Sequence, residues 1–248
     1  MKFPYILLLA TSFLISTPTA FAEEQWGYSG NISPEYWGNI SPKFTECKQG
    51  KSQSPVNIIQ TTKLHTQHLT FHYQLTTEHI VNNTHTVQVI VSSDKDYLIF
   101  HDKKYYLKQF HFHTPSEHHI HGIAYPLEIH FVHADKDGHL LVLAVMAEEG
   151  MKKNPELEKA WNVVSPQPNK EEVMTKPFNI NNFLPKDTSY FHYTGSLTTP
   201  PCLEDVTWIV LKQPVQVSED QVDRFETLMQ HDNNRHVQPL NGRKVDED

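Results

Sequence analysis

Between Lys63 and Glu149 apolar and polar residues follow one another in short runs typical of strands. "HTVQVIV" alternates with the period of two that sends successive side chains to opposite faces. "DYLIFHDKKYYLKQFHFH", "LEIHFVHAD" and "HLLVLAVMA" are rich in β-branched and aromatic residues and are split by Asp, Lys and Gly, so each predicts strand. Asp137-Gly138 predicts a hairpin turn between the last two. "TWIVLKQPVQV" predicts a further strand, with Pro214 at an edge or a break. Helical patterns are few. "NPELEKAWNVV" predicts one helix, and "SEDQVDRFETLMQ" a second, capped by Ser218 with Gln221 three residues on. The segment from Glu23 to Pro55, with "WGYSGNISPEYWGNISPKF", reads as irregular structure pinned by aromatics. The echo of "NISP" is too short for an architectural repeat, and no linker divides the chain. The pattern predicts a mainly β (α+β) single domain with a few short helices.

Composition narrows the class. The 248 residues carry a net charge of −8 and are 38% hydrophobic, which suits one globular domain. An acidic balance without a large basic patch argues against nucleic acid as a partner. The first 22 residues, "MKFPYILLLATSFLISTPTAFA", read as a secretory signal. Lys2 precedes an apolar run from Ile6 to Ile15, and Ala20-Phe21-Ala22 suits a signal peptidase. Cleavage after Ala22 leaves a domain over 23–248. The apolar run is too short to span a bilayer comfortably, and no other stretch is apolar enough, so no membrane association is expected after cleavage. Export leads to an oxidising compartment, where Cys47 and Cys202 can pair in only one way. Such a bridge closes a very long loop, worth roughly 3–5 kcal/mol on a chain-entropy argument.

Candidate chemistry concentrates in Gln109–Gly122, "QFHFHTPSEHHIHG". His111 and His113 are two apart on a predicted strand and share a face, with Phe110 and Phe112 on the other. "LEIHFVH" then offers His130 or His133. These lie three apart, face opposite sides, and only one can join the pair. Three neutral imidazoles with an open fourth position describe a catalytic zinc site, and metal softness leaves cobalt and iron as alternatives. Gln109 and Glu128 each lie two residues before a candidate ligand on the same face, spaced to hold its outer nitrogen. His118, His119, His121 and His139 read as solvated surface residues, and His133 as a core or loop histidine. A cupin-like set of His111, His113 and Glu117 with Gly122 following stays open on spacing alone, although its second motif is missing. So does a histidine-rich protein that buffers zinc or nickel.

Three stretches, "QFHFHTPSEHH", "LEIHFVH" and "YTGSLTTPPCLEDVTWIV", closely resemble the α-class carbonic anhydrases in their exported bacterial form, as do "WGYSG", "QSPVNI" and "QPLNGR". The resemblance spans about Trp26 to Arg243. It implies a large central, mostly antiparallel β-sheet with short peripheral helices. It also implies reversible hydration of CO2 to bicarbonate and a proton through zinc-bound hydroxide. It makes His111, His113 and His130 the ligands of one Zn2+ per chain. Glu117 then accepts a hydrogen bond from the hydroxyl of Thr198, which accepts one from the hydroxide. The backbone N–H of Thr198 binds an anion or substrate oxygen, and Thr199 contacts bicarbonate. Val132, Val142, Leu197 and Val206 wall the pocket, with Trp208 behind. "NNTHTVQV" makes His85 the proton shuttle, with Tyr28, Asn83 and Gln88 ordering the intervening waters; many relatives carry Asn where Gln88 stands. The Cys47–Cys202 bridge would tether the loop of Thr198 and Thr199. The implied location is the periplasm, and the implied assembly a homodimer.

Overall fold

The computed structural model describes residues 25–63, 69–76 and 79–248. The expected signal segment 1–22 lies outside the described residues. The chain is organised on one mixed sheet. Its path runs from Glu171–Val173 through His79–Asn82, Val87–Ile90, Lys103–His113, Leu127–Ala134, Leu140–Glu149, Val206–Leu211, Tyr190–Gly195 and Asp246–Glu247 to Thr62–Lys63. The centre is antiparallel, but Leu140–Glu149 pairs in parallel with both Val206–Leu211 and Val215–Val217. Pro214 therefore marks a break between two strands and not an edge.

The two histidine strands lie side by side, with His111 opposite His130 and His113 opposite Glu128. The register shifts between Val132 and His133, where Gln109 opposes Val132 and Leu107 opposes His133. This bulge skips Lys108 and moves the alternation by one. Tyr105 and Leu107 before it, and Phe110 and Phe112 after it, all enter the same core. Gln109, His111 and His113 are thereby left on the other face. Below the sheet Phe110, Phe112, Phe131, Phe178, Phe183 and Phe225 are fully buried and pack ring against ring. That rigid aromatic layer fixes the strands that carry the histidines.

Both predicted helices form, at Pro155–Trp161 and Glu219–Met229. Ser218 and Gln221 make the expected capping box. Asp137-Gly138 sits in the expected turn, with Gly138 at φ 88°. The N-terminal region is less irregular than expected. It winds through short helical turns at Gly30–Ile32, Trp37–Ile40, Pro42–Phe44 and Glu46–Gln49, around a fully buried Trp37 that meets Trp26 and Tyr28 edge-on. No helix among the described residues is long and apolar enough to cross a membrane.

Candidate active site

His111, His113 and His130 converge, each offering one nitrogen, with the three nitrogens within 4.8 Å of one another. The outer nitrogen of each ring is held. His111 Nδ1 is 2.8 Å from Gln109 Oε1, His113 Nδ1 is 2.7 Å from the Asn233 carbonyl, and His130 Nε2 is 2.7 Å from Glu128 Oε1. These oxygens only accept, so each outer nitrogen carries the proton. The lone pairs of His111 Nε2, His113 Nε2 and His130 Nδ1 are then left for the common space. Burial, followed by the neighbouring imidazoles, holds His111 well below the usual histidine range, and burial lowers His113. Burial also opposes charge on His130, but the Glu128 carboxylate outweighs it and raises that group. His113 Nε2 is buried without a hydrogen-bond partner, so this donor set can accept a metal ion. His133, as parity required, points into the opposite core, where Nε2 meets Tyr73 Oη at 2.8 Å and Nδ1 donates to the Phe131 carbonyl.

Glu128 does more than hold His130. Its Oε1 also accepts from His118 Nδ1 at 2.7 Å, and its Oε2 accepts from the backbone N–H groups of Glu117 and His118. Burial alone would raise this carboxyl, but the facing imidazoles of His118 and His130 hold it well below the usual range. His118 Nε2 is 2.6 Å from Tyr193 Oη, which is 2.9 Å from Ser54 Oγ. The expectation that His118 is a surface residue is therefore wrong. It is fully buried, because its loop folds back over Trp208, 4.7 Å away. His121 and His139 are exposed and His119 is half-buried. Asp135, Asp137 and His139 also cluster, but the Asp135 carboxylate is taken by Lys103, by His139 Nδ1 and by two backbone N–H groups. That cluster anchors a turn.

Glu117 is fully buried. Its Oε1 accepts from the Arg235 backbone N–H at 2.8 Å, while Oε2 has no hydrogen-bond partner and lies 3.6 Å from His113 Nε2. The expected hydrogen bond from Thr198 is not formed. Thr198 is nonetheless buried, on a loop pinned where Leu197 N–H donates to the Leu203 carbonyl and where Cys202 is bonded to Cys47. The expected disulfide is thus present, 155 residues apart in sequence. Arg235 is itself buried, and its guanidinium donates to Gln53, Ser54 and Cys47.

The cleft above the histidines, about 120 Å³, brings together Tyr28, Asn83, His85, Gln88, Gln109, His111, His113 and Thr199, with Trp26 and Thr86. Asn83 Nδ2 donates to Gln88 Oε1 at 3.2 Å, and the His85 ring stacks on Trp26 at 3.7 Å. Val142, Val206 and Trp208 form one apolar cluster with Val132 and Leu197 packed against it. Trp208 lies 5.0 Å from His130. Sequence reasoning missed the roles of Asn233, Arg235, Tyr193 and Ser54. Ser54 and Tyr193 lie in the stretches "QSPVNI" and "YTGSLTTPPCLEDVTWIV", but nothing local shows what any of the four holds, since each acts on a residue far away in the chain.

The model of the family described as eukaryotic-type carbonic anhydrase matches residues 32–248. The chain is 43% identical to the carbonic anhydrase of Pectobacterium atrosepticum and 42% identical to that of Neisseria gonorrhoeae, in each case over 98% of both chains. Its fold matches the α-carbonic anhydrase of Thermovibrio ammonificans, solved with the inhibitor sulfanilamide. The TM-score is 0.88 and the identity 46%, over 91% of this chain and all of that one. A cupin arrangement is excluded by this fold, and the third histidine comes from the strand beside the first two, so the chain belongs to the α-carbonic anhydrase family.

Proposed function

We propose that this carbonic anhydrase hydrates CO2 reversibly with one Zn2+ per chain, held by His111, His113 and His130. One observation carries the reading: three imidazoles with their outer nitrogens held, and a buried His113 Nε2 lacking a partner. A buried polar atom left unpaired costs about 1–3 kcal/mol, and a metal ion removes that cost. Bound zinc lowers the pKa of its water to about 7, for which carbonic anhydrases are the standard example, and so supplies a nucleophile at neutral pH.

The chain's own residues do the rest. Gln109, Asn233 and Glu128 keep the ligand tautomers and ring orientations. Val132, Val142, Leu197 and Val206, backed by Trp208, exclude water around a small apolar substrate that needs no hydrogen bonds. Glu117 Oε2, which has no partner in the structure, would be the acceptor for the Thr198 hydroxyl in the metal-loaded enzyme. A threonine whose proton is so committed can only accept from the attacking oxygen, and that turns a lone pair toward the substrate carbon. The Thr198 N–H and Thr199 hold the anionic product. His85 takes the released proton across waters ordered by Tyr28, Asn83 and Gln88, because imidazole exchanges protons near neutrality.

Residues 1–22 direct export, and the mature chain works in the periplasm as a homodimer. Amino-terminal sequencing of periplasmic protein, expected to begin at Glu23, and light scattering test these points. The central test is stopped-flow CO2 hydration with metal assayed on the same sample, beside His111→Ala. Fast hydration with one zinc per chain, lost in the variant, is expected. Several loosely held ions and no hydration would instead favour metal buffering.

A further inference from the structure

A second imidazole stands on the far side of Tyr28. The end of the Glu219–Met229 helix and the residues after it line an open basin of about 600 Å³, formed by Asp223, Glu226, Thr227, Gln230, His231 and Asp232. His231 is exposed there. Its ring lies 5.8 Å from the Tyr28 ring, with the planes at 30°. Tyr28 also lines the cleft above the histidines, so the His231 ring contacts a side chain of the cleft wall.

Two links run from this wall to His85. The His85 ring stacks on Trp26, which meets Tyr28 edge-on at 5.8 Å. Asn233, two residues after His231, donates from Nδ2 to the His85 carbonyl at 2.9 Å. His231 Nδ1 is 2.9 Å from the Asp232 carbonyl. A carbonyl only accepts, so the neutral ring carries its proton on Nδ1 and takes up a second at Nε2. The groups around it are Tyr28 and the carboxyls of Asp223, Glu226 and Asp232. Glu226 Oε1 in addition accepts from the Thr114 hydroxyl at 3.3 Å.

We propose that His231 is a second proton-relay station, which receives the proton that CO2 hydration leaves on His85 and passes it to buffer bases collecting in the basin. Each turnover forms one bicarbonate and releases one proton. His85 takes that proton, solvent carries it past Tyr28 to His231 Nε2, and His231 returns to its neutral form by giving a proton to buffer. The inference rests on the proposed role of His85.

The test is stopped-flow CO2 hydration in weak and in concentrated imidazole buffer, with wild type, His231→Ala, His231→Gln, His85→Ala and His85→Ala/His231→Ala. His231→Gln keeps a side-chain N–H for the Asp232 carbonyl and contact with Tyr28, but exchanges no proton. Both His231 variants are expected to lose kcat several-fold in weak buffer, to keep kcat/KM, which reports the CO2 step, and to recover in concentrated imidazole. Unchanged kcat for His231→Ala beside a loss for His85→Ala overturns the relay, since His85 then discharges directly. A loss confined to His231→Ala, or one that imidazole fails to restore, shows a structural role and also overturns it. A loss for both His231 variants with none for His85→Ala overturns the hand-over from His85, and with it the relay.

Discussion

The Arg235 backbone N–H donates to Glu117 Oε1 at 2.8 Å, joining residues 118 apart in sequence. One carboxylate oxygen is committed, and the other is left buried against the histidines. Glu117→Gln preserves shape but places a donor where an acceptor is required. It is expected to lower kcat/KM on the order of a hundredfold, as loss of a well-placed catalytic hydrogen bond does, with zinc content retained. Stopped-flow hydration and metal assay on one sample check this.

His118 shares Glu128 with His130 and reaches Tyr193 on its other side. His118→Ala leaves a buried carboxylate and a buried phenol short of partners. The expected cost is about 3 kcal/mol of stability, with metal affinity weakened about tenfold through His130. His121→Ala, at an exposed position, is expected to stay within about 0.5 kcal/mol. Urea midpoints and competitive zinc titration separate the two. Equal midpoints would show that the buried network carries no stability.

Burial lowers His133 to about 3, and both of its nitrogens are hydrogen-bonded in the neutral form. The unfolded chain binds a proton there below the ordinary histidine value of about 6.5, while the folded chain does not until about 3. Between these values the unfolded state holds the extra proton, so stability falls as pH falls, by about 1.4 kcal/mol per unit from this group. Urea midpoints from pH 7 to 4 are expected to slope less steeply for His133→Gln than for wild type. Parallel slopes would remove His133 from the acid response.

The Cys47–Cys202 bridge closes a long loop and tethers the segment of Thr198. Reduction, or a Cys47→Ser/Cys202→Ser variant, is expected to cost roughly 3–5 kcal/mol while one zinc per chain is retained. Calorimetry with metal assay tests it. Zinc loss on mild reduction would mean that the bridge also shapes the ligand set.

What the sequence determined by itself was local and periodic. The period of two placed His111 and His113 on one face and separated His130 from His133, because the strand backbone dictates which way each side chain points. Asp137-Gly138 and the Ser218/Gln221 pair were legible for the same reason, since turn and cap chemistry act within a few residues. The roles proposed for the "SLTTPP" loop and for His85 rest on resemblance and not on any local pattern. Only the tertiary structure decided the rest. His118 reads as one more surface histidine until its loop folds over Trp208 and buries it. Asn233 and Arg235 carry no local mark, yet their backbones hold His113 and Glu117 from more than a hundred residues away. The extra residue at Lys108, invisible in the alternation of "YYLKQFHFH", is what turns the apolar residues on either side of it to one core. Hydrogen bonds over such separations depend on the path of the whole chain, and no local periodicity encodes that path.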